Sequence, residues 1–163
     1  MRSAIVGYIV IVFMLLGLIS YPSASFSQLV SHSFEQVDSL QITRKKPIVV
    51  FIHTRWCKYC WVMRDITLKD GRIIDLLNKN YYFVEFDAED KRPIIFNKRR
   101  FNYQPTGSNT GLHQLASALG EIDGLVSFPV LCLLNADYEI IFQYNQYLCP
   151  KELIPILEQL KCL

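Results

Sequence analysis

Phe51-Ile52-His53-Thr54-Arg55-Trp56-Cys57-Lys58-Tyr59-Cys60 is the stretch on which the fold reading turns. Together with Ile48-Val49-Val50 before it, its start forms a continuous apolar, β-branched run, as in a strand buried on both faces. A short loop follows. From Cys57 to Leu68 the pattern becomes helical, through Cys60, Met63, Ile66 and Thr67. A cysteine therefore opens a helix at the end of a buried strand. Unpaired N–H groups and the positive end of the helix dipole favour a thiolate there, and Lys58 adds a nearby positive charge. Cys60 lies one helical turn on, placed to attack a mixed disulfide formed at Cys57. The spacing thus casts Cys57 as nucleophile and Cys60 as resolving thiol. Two other readings of the pair stay open. Half of a zinc site needs a second ligand pair, and Cys149, Cys162, His53 and His113 show no such spacing. A purely structural disulfide closing so short a loop gains little chain entropy.

Outward from this segment, a short amphipathic helix is predicted over 31–43, with Phe34, Val37 and Leu40 at helical spacing. A second helix is predicted over 71–79, with Asp70 as N-cap, and a second strand over 81–87. Helix, strand, helix, strand argues for parallel strands joined by a crossover. Pro93 to Phe96 and Arg99 to Tyr103 flank Asn97-Lys98 as a small hairpin. A loop at 105–109 precedes a helix expected over 111–120, carrying Leu112, Leu115, Ala116 and Leu119 on one face. Strands over 130–134 and 138–144 form an antiparallel hairpin. A last helix over 150–161 has Pro150 in its first turn and Leu153, Ile154, Leu157 and Leu160 inward.

The chain has 163 residues, is 51% hydrophobic and carries a formal net charge of +2, which suits one domain with a real core. That balance gives no general pull toward nucleic acid or an anionic membrane surface. The basic, aromatic-interleaved run of Lys91, Arg92, Phe96, Lys98, Arg99, Arg100, Phe101 and Tyr103 reads as a hairpin packed on the domain, not a nucleic-acid site. At the N-terminus, basic Met1-Arg2, apolar Ala4 to Ile19, Pro22 and small residues at Ser23, Ser25 and Ser27 follow the order of a secretory signal. Residues 1–27 are accordingly the expected signal peptide and 28–163 the domain; an uncleaved membrane anchor is the alternative. Either way the folded part is expected outside the cytosol. Five cysteines, an odd number, leave at least one thiol without an internal partner. Cys132 is expected to be a buried, inert side chain. Cys149 and Cys162 bracket the last helix, about 20 Å apart at ~1.5 Å per residue, too far to pair.

Trp56-Cys57-Lys58-Tyr59-Cys60 after a strand resembles the W-C-x-x-C active site of the thioredoxin superfamily. Ser127-Phe128-Pro129-Val130, just before a strand, resembles that family's cis-proline loop. The likeness covers roughly Phe34 to Leu160. It implies an α/β thioredoxin-like fold: a central mixed sheet with helices on both faces, and an extra hairpin and helix inserted before the cis-proline loop. It also implies a cis Pro129 and protein disulfide oxidoreductase activity, reductase favoured, with no cofactor and no metal. Substrates would be protein thiols or disulfides, bound by Trp56, Lys58, Tyr59, Phe128 and Pro129, and an upstream redox partner protein would regenerate the dithiol. More narrowly, the chain is similar to exported bacterial thioredoxin-like proteins of the periplasm. Two departures matter. Lys58-Tyr59 stands where thioredoxin has Gly-Pro, and Phe51 occupies the place of its buried Asp. Glu85 on the following strand is the candidate substitute as proton acceptor for Cys60, with a pKa raised by desolvation; a Glu85 merely pointing to solvent is the alternative. His53 either modulates the thiolate or simply packs, and His113 is expected on a helix surface. Rival functions are a redox-inactive binding module with a Tyr59–Trp61–Phe128 surface and a metal-binding chaperone.

Overall fold

The computed structural model describes residues 28–108 and 110–161. The expected signal segment and Cys162 lie outside the described residues. Four strands form the central sheet: β1 (Ile48–His53), β2 (Tyr82–Asp87), β9 (Val130–Leu134) and β10 (Ile140–Tyr144), in the order β10-β9-β1-β2. β1 and β2 are parallel, whereas β9 runs antiparallel to both β1 and β10, so the sheet is mixed. All six residues of β1 are buried, as its unbroken apolar run requires for a central strand covered on both faces.

Strand alternation divides the core. One face carries Val49, Phe51, Phe83, Leu131 and Leu133, packed with Cys57, Cys60 and Met63 of α2 (Lys58–Val62, continued by a π-turn over Met63–Thr67). Ile73 and Leu77 of α3 (Gly71–Asn80) and Leu153 and Leu157 of α5 (Pro150–Leu160) complete that layer. On the other face, Val50, Ile52, Val84, Phe86, Val130 and Cys132 meet α1 (Phe34–Thr43) and α4 (Gln114–Gly120). Helices on both faces of a mixed sheet are the expected architecture.

Local chemistry explains where elements differ from the sequence reading. The first helix begins at Phe34, because the Ser33 hydroxyl accepts the Gln36 N–H and the Gln36 side chain accepts the Ser33 N–H. In α2 the α-periodicity predicts Ile66 inward, but Ile66 is 55% exposed and Leu68 only 4%. The Leu68 N–H reaches back five residues to the Met63 carbonyl, 2.9 Å away, and this wider turn rotates the following side chains. Residues 111–120 are not one helix. Gly111–His113 forms β6, paired with β5 (Tyr103–Pro105), and only Gln114–Gly120 is helical. Leu112 is therefore a strand residue. The predicted hairpin is present as β3 (Ile94–Phe96) and β4 (Arg99–Phe101). Its turn residues Asn97 and Lys98 adopt φ of 48° and 61°, as a tight two-residue hairpin turn demands. A last short hairpin, β7 (Glu121–Ile122) and β8 (Leu125–Val126), leads directly into the Ser127-Phe128-Pro129 loop.

Candidate active site

Cys57 is the N-cap of α2, and its Sγ accepts the backbone N–H of Cys60 at 3.1 Å. Cys57 and Cys60 are joined in a disulfide, with Cα atoms 5.3 Å apart. Both cysteines are buried, Cys57 with 7% of its surface exposed and Cys60 with 1%. In the reduced state, the helix N–H group that bonds the Cys57 sulfur favours its thiolate. Lys58 is exposed beside it.

The Phe128–Pro129 peptide bond is cis. Trp56 meets Phe128 edge-on, ring centroids 6.1 Å apart, which places the proline loop against the cysteine loop. A small cavity of about 290 Å³ is lined by Tyr59, Phe128, Pro129, Asn145, Gln146 and Tyr147. Trp56, Tyr59 and Trp61 are each more than 60% exposed, an apolar rim around a nearly closed disulfide. The structure thus gathers Cys57, Cys60, Trp56, Tyr59, Phe128 and Pro129 at one end of the sheet. Lys58 flanks that group.

Glu85 is a different case. Its register partner on β1 is Phe51, so both side chains share the sheet face that carries α2. Phe51 itself is fully buried, with a phenyl ring and no carboxylate at that position. The desolvated setting expected for Glu85 is corrected here: β2 is the edge strand, and the Glu85 side chain is 31% exposed. Its carboxylate is ion-paired with Arg64, and His53 Nε2 lies 3.4 Å away. Burial lowers the His53 pKa below the ordinary imidazole value, Arg64 pushes the same way, and Glu85 and Asp87 oppose. His53 belongs to β1 rather than to the loop beyond it.

Two further side chains hold the cysteine loop. Arg55 pairs with Asp87 at 3.1 Å, and the Trp56 indole N–H donates to Glu89 at 3.1 Å. The sequence reading missed Arg64, Glu89 and Tyr147. Arg64 follows Cys60 by four residues and could have been placed on its helix face. Glu89 and Tyr147 arrive through tertiary contacts that no local pattern announces. His113 is also corrected: it is wholly buried, not on a helix surface. Cys132 is buried, and desolvation pushes its thiol up to about 12, so it stays inert. Cys149 carries a free thiol at the N-cap of α5. Among the described residues no group of His, Cys, Asp and Glu is arranged to hold a metal ion, and no helix is long and apolar enough to cross a membrane.

The model of a thioredoxin-like domain family matches residues 34–161. Among solved structures, the chain is similar to one described as the DsbH oxidoreductase, at 18% identity and a TM-score of 0.60, covering 90% of this chain and 93% of that one. A thioredoxin from Thermus thermophilus matches at 17% identity and a TM-score of 0.58, covering 83% of this chain and 88% of that one. A thioredoxin-fold protein from Helicobacter pylori matches at 13% identity and a TM-score of 0.57, covering 84% and 76%. At such identities the likeness shows a shared fold. A search of curated proteins finds no match.

Proposed function

The chain belongs to the thioredoxin-like domain family and is a disulfide oxidoreductase, and we propose that it is an exported reductase of protein disulfides. The observation that carries the mechanism is the Cys57 sulfur, held at a helix N-terminus beside the cis-proline loop. The reduced protein reacts in two exchanges. The Cys57 thiolate attacks one sulfur of a substrate disulfide, a mixed disulfide forms, and the first substrate thiolate leaves. Cys60 then loses its proton and attacks the Cys57 sulfur. The Cys57–Cys60 disulfide forms, and the second substrate thiolate leaves. The substrate is reduced and the protein oxidised, so an upstream redox partner protein must return it to the dithiol. Trp56, Lys58, Tyr59, Phe128 and Pro129 bind the substrate chain around the reacting sulfur. Export is supported by the secretory order of residues 1–27, and the periplasm by the similarity to exported bacterial thioredoxin-like proteins.

Direction is set by the relative stability of the two redox forms. The reductase reading rests on family resemblance, supported by the fold likeness to a thioredoxin. Against it, Lys58 stabilises a thiolate and so favours the reduced form. Equilibration with glutathione is expected to give a midpoint on the reducing side of protein disulfide isomerase, below about −180 mV. A midpoint near about −120 mV, in the range of a strong oxidant, overturns the reductase assignment and leaves the exchange chemistry in place.

We assign Glu85 to the resolving step, as the carboxylate on the cysteine face that takes the Cys60 proton. Its exposure and its ion pair with Arg64 limit the effect. Glu85→Gln is expected to slow decay of the mixed disulfide by about 10²-fold, the lower end of general-base contributions. Adduct formation at Cys57 should change much less. Rapid-quench measurement of the decay tests this, and an unaltered rate removes Glu85 from the mechanism.

A further inference from the structure

His113 is wholly buried, and the exchange mechanism does not use it. It ends β6 and serves as N-cap of α4. The Leu115 backbone N–H points at Nδ1, 3.1 Å away. A backbone N–H can only donate, so Nδ1 presents a lone pair. The ring proton is therefore on Nε2, which lies 3.1 Å from the Arg92 carbonyl oxygen, an obligate acceptor. Both ring nitrogens are committed to the neutral imidazole. The His113 backbone N–H donates to the Ala88 carbonyl at 2.8 Å, and the ring meets Phe86 edge-on.

Those contacts clamp the β5–β6 hairpin and α4 onto the stretch from Phe86 to Arg92. The same stretch supports the rim of the active site. Asp87 holds Arg55, and Glu89 accepts the Trp56 indole N–H. The Ala88 N–H donates to the His53 carbonyl at the end of β1. We propose that His113 is a positioning residue for the substrate-binding rim and releases that rim when it gains a proton, so that capture of polypeptide disulfides fails in acid.

A second ring proton would sit on Nδ1 and face the Leu115 N–H, donor against donor. The α4 cap would be lost and a cation would stand in a wholly buried site. The groups facing the ring are Asp90 from the 87–92 stretch and Tyr103, its register partner on β5, with Lys91 over the Tyr103 ring and Arg92 beyond. Asp90 is the charge that favours the cation, but Arg92 already binds its carboxylate through both oxygens. Burial lowers the His113 pKa, with the Arg92 carbonyl and Asp90 opposing. The folded form therefore binds fewer protons than the unfolded one below about pH 6.5. The clamp is fully stable above that pH and weakens as pH falls below it. The other two histidines of the chain, His32 and His53, line a cavity of about 570 Å³ together with Asp90 and Arg92, and burial lowers both. They are the competing acid-sensitive groups.

The proposal rests on the exchange reading, and the experiment separates the two. Rates at Cys57 are compared for a peptide disulfide and for hydroxyethyl disulfide, which needs no rim, from pH 7.5 to 5. In the wild-type protein the peptide-to-small-disulfide ratio is expected to fall severalfold across that range, as the α4 cap is lost. In His113→Asn, whose carboxamide caps a helix without titrating, the ratio should stay flat. A variant that keeps the wild-type fall moves the effect to His53 or His32 and overturns the proposal. Should the variant fail to fold, imidazole and indole NMR of the wild-type chain decides. The His113 ring should stay neutral, protonated on Nε2, until the Trp56 indole signal shifts or broadens in the same acid step. A His113 that titrates near pH 6.5 with no change at Trp56 also overturns the proposal. Absence of reaction with either disulfide at pH 7.5 overturns the exchange reading instead, while the NMR arm still judges the clamp.

Discussion

Replacing Cys57 by serine is expected to abolish disulfide reduction, leaving only the uncatalysed background. Disulfide exchange needs a sulfur nucleophile as its thiolate, and a hydroxyl at the same place stays protonated and cannot form the mixed disulfide. The variant isolates chemistry from folding. Cys57 caps α2 by accepting the Cys60 N–H, and serine is among the residues best suited to that position. The cap, and with it the start of the helix, should survive. The measurement is thiol release from a protein disulfide in the presence of an external reductant, with circular dichroism as the control for fold. A folded serine variant that still reduces disulfides would rule out Cys57 as nucleophile. Attention would then turn to Cys149, the half-buried free thiol at the start of α5.

How much of this was readable beforehand depended on how local the signal was. β1 announced itself because a central strand in a parallel pair needs apolar residues on both faces, and Ile48 to Ile52 offers nothing else. The cysteine pair was equally plain, since its chemistry needs only a helix start and a spacing of three. The Asn97-Lys98 turn was legible through the preference of Asn for positive φ. What failed lay in the insertion and in the phase of one helix. Leu112 fits a helical stripe with Leu115, Ala116 and Leu119, so periodicity extended α4 backward over Leu112 and His113. Pairing with Tyr103 and the Ala88 carbonyl claims them for a strand instead. Ile66 was misplaced because periodicity assumes a constant rise per turn, and the π-turn at Met63–Thr67 breaks that assumption. Glu85 shows the limit on site residues. Its face followed once the register with Phe51 was known, but its exposure depended on β2 being an edge strand, a fact of topology that no single segment carries.

With Cys60 replaced by alanine, partner proteins are expected to accumulate on Cys57 as mixed disulfides. In the wild-type protein the sulfur that resolves the adduct comes from inside, one helical turn away, from a residue only 1% exposed. Removing that sulfur leaves the Cys57 adduct with no intramolecular attacker at the helix start, and the rim of Trp56, Tyr59 and Phe128 restricts attack from solvent. Alanine is tolerated there because Cys60 packs in an apolar cluster with Phe51 and Met63 and contributes only its sulfur. Adducts should appear on non-reducing gels of cells expressing the variant and vanish on addition of dithiothreitol. The double variant Cys57→Ser with Cys60→Ala should show none, which excludes Cys149 and Cys162 as the attachment point. If no adduct forms while Cys57 still reacts with iodoacetamide, the exchange function fails and the chain is better read as a thioredoxin-like binding module. If adducts do form, their compartment and redox state bear directly on the proposal. Exported proteins trapped by a pre-reduced variant through their own disulfides would support a reductase acting outside the cytosol. Capture of reduced chains by a Cys57 already in disulfide linkage would instead place it on the oxidising side.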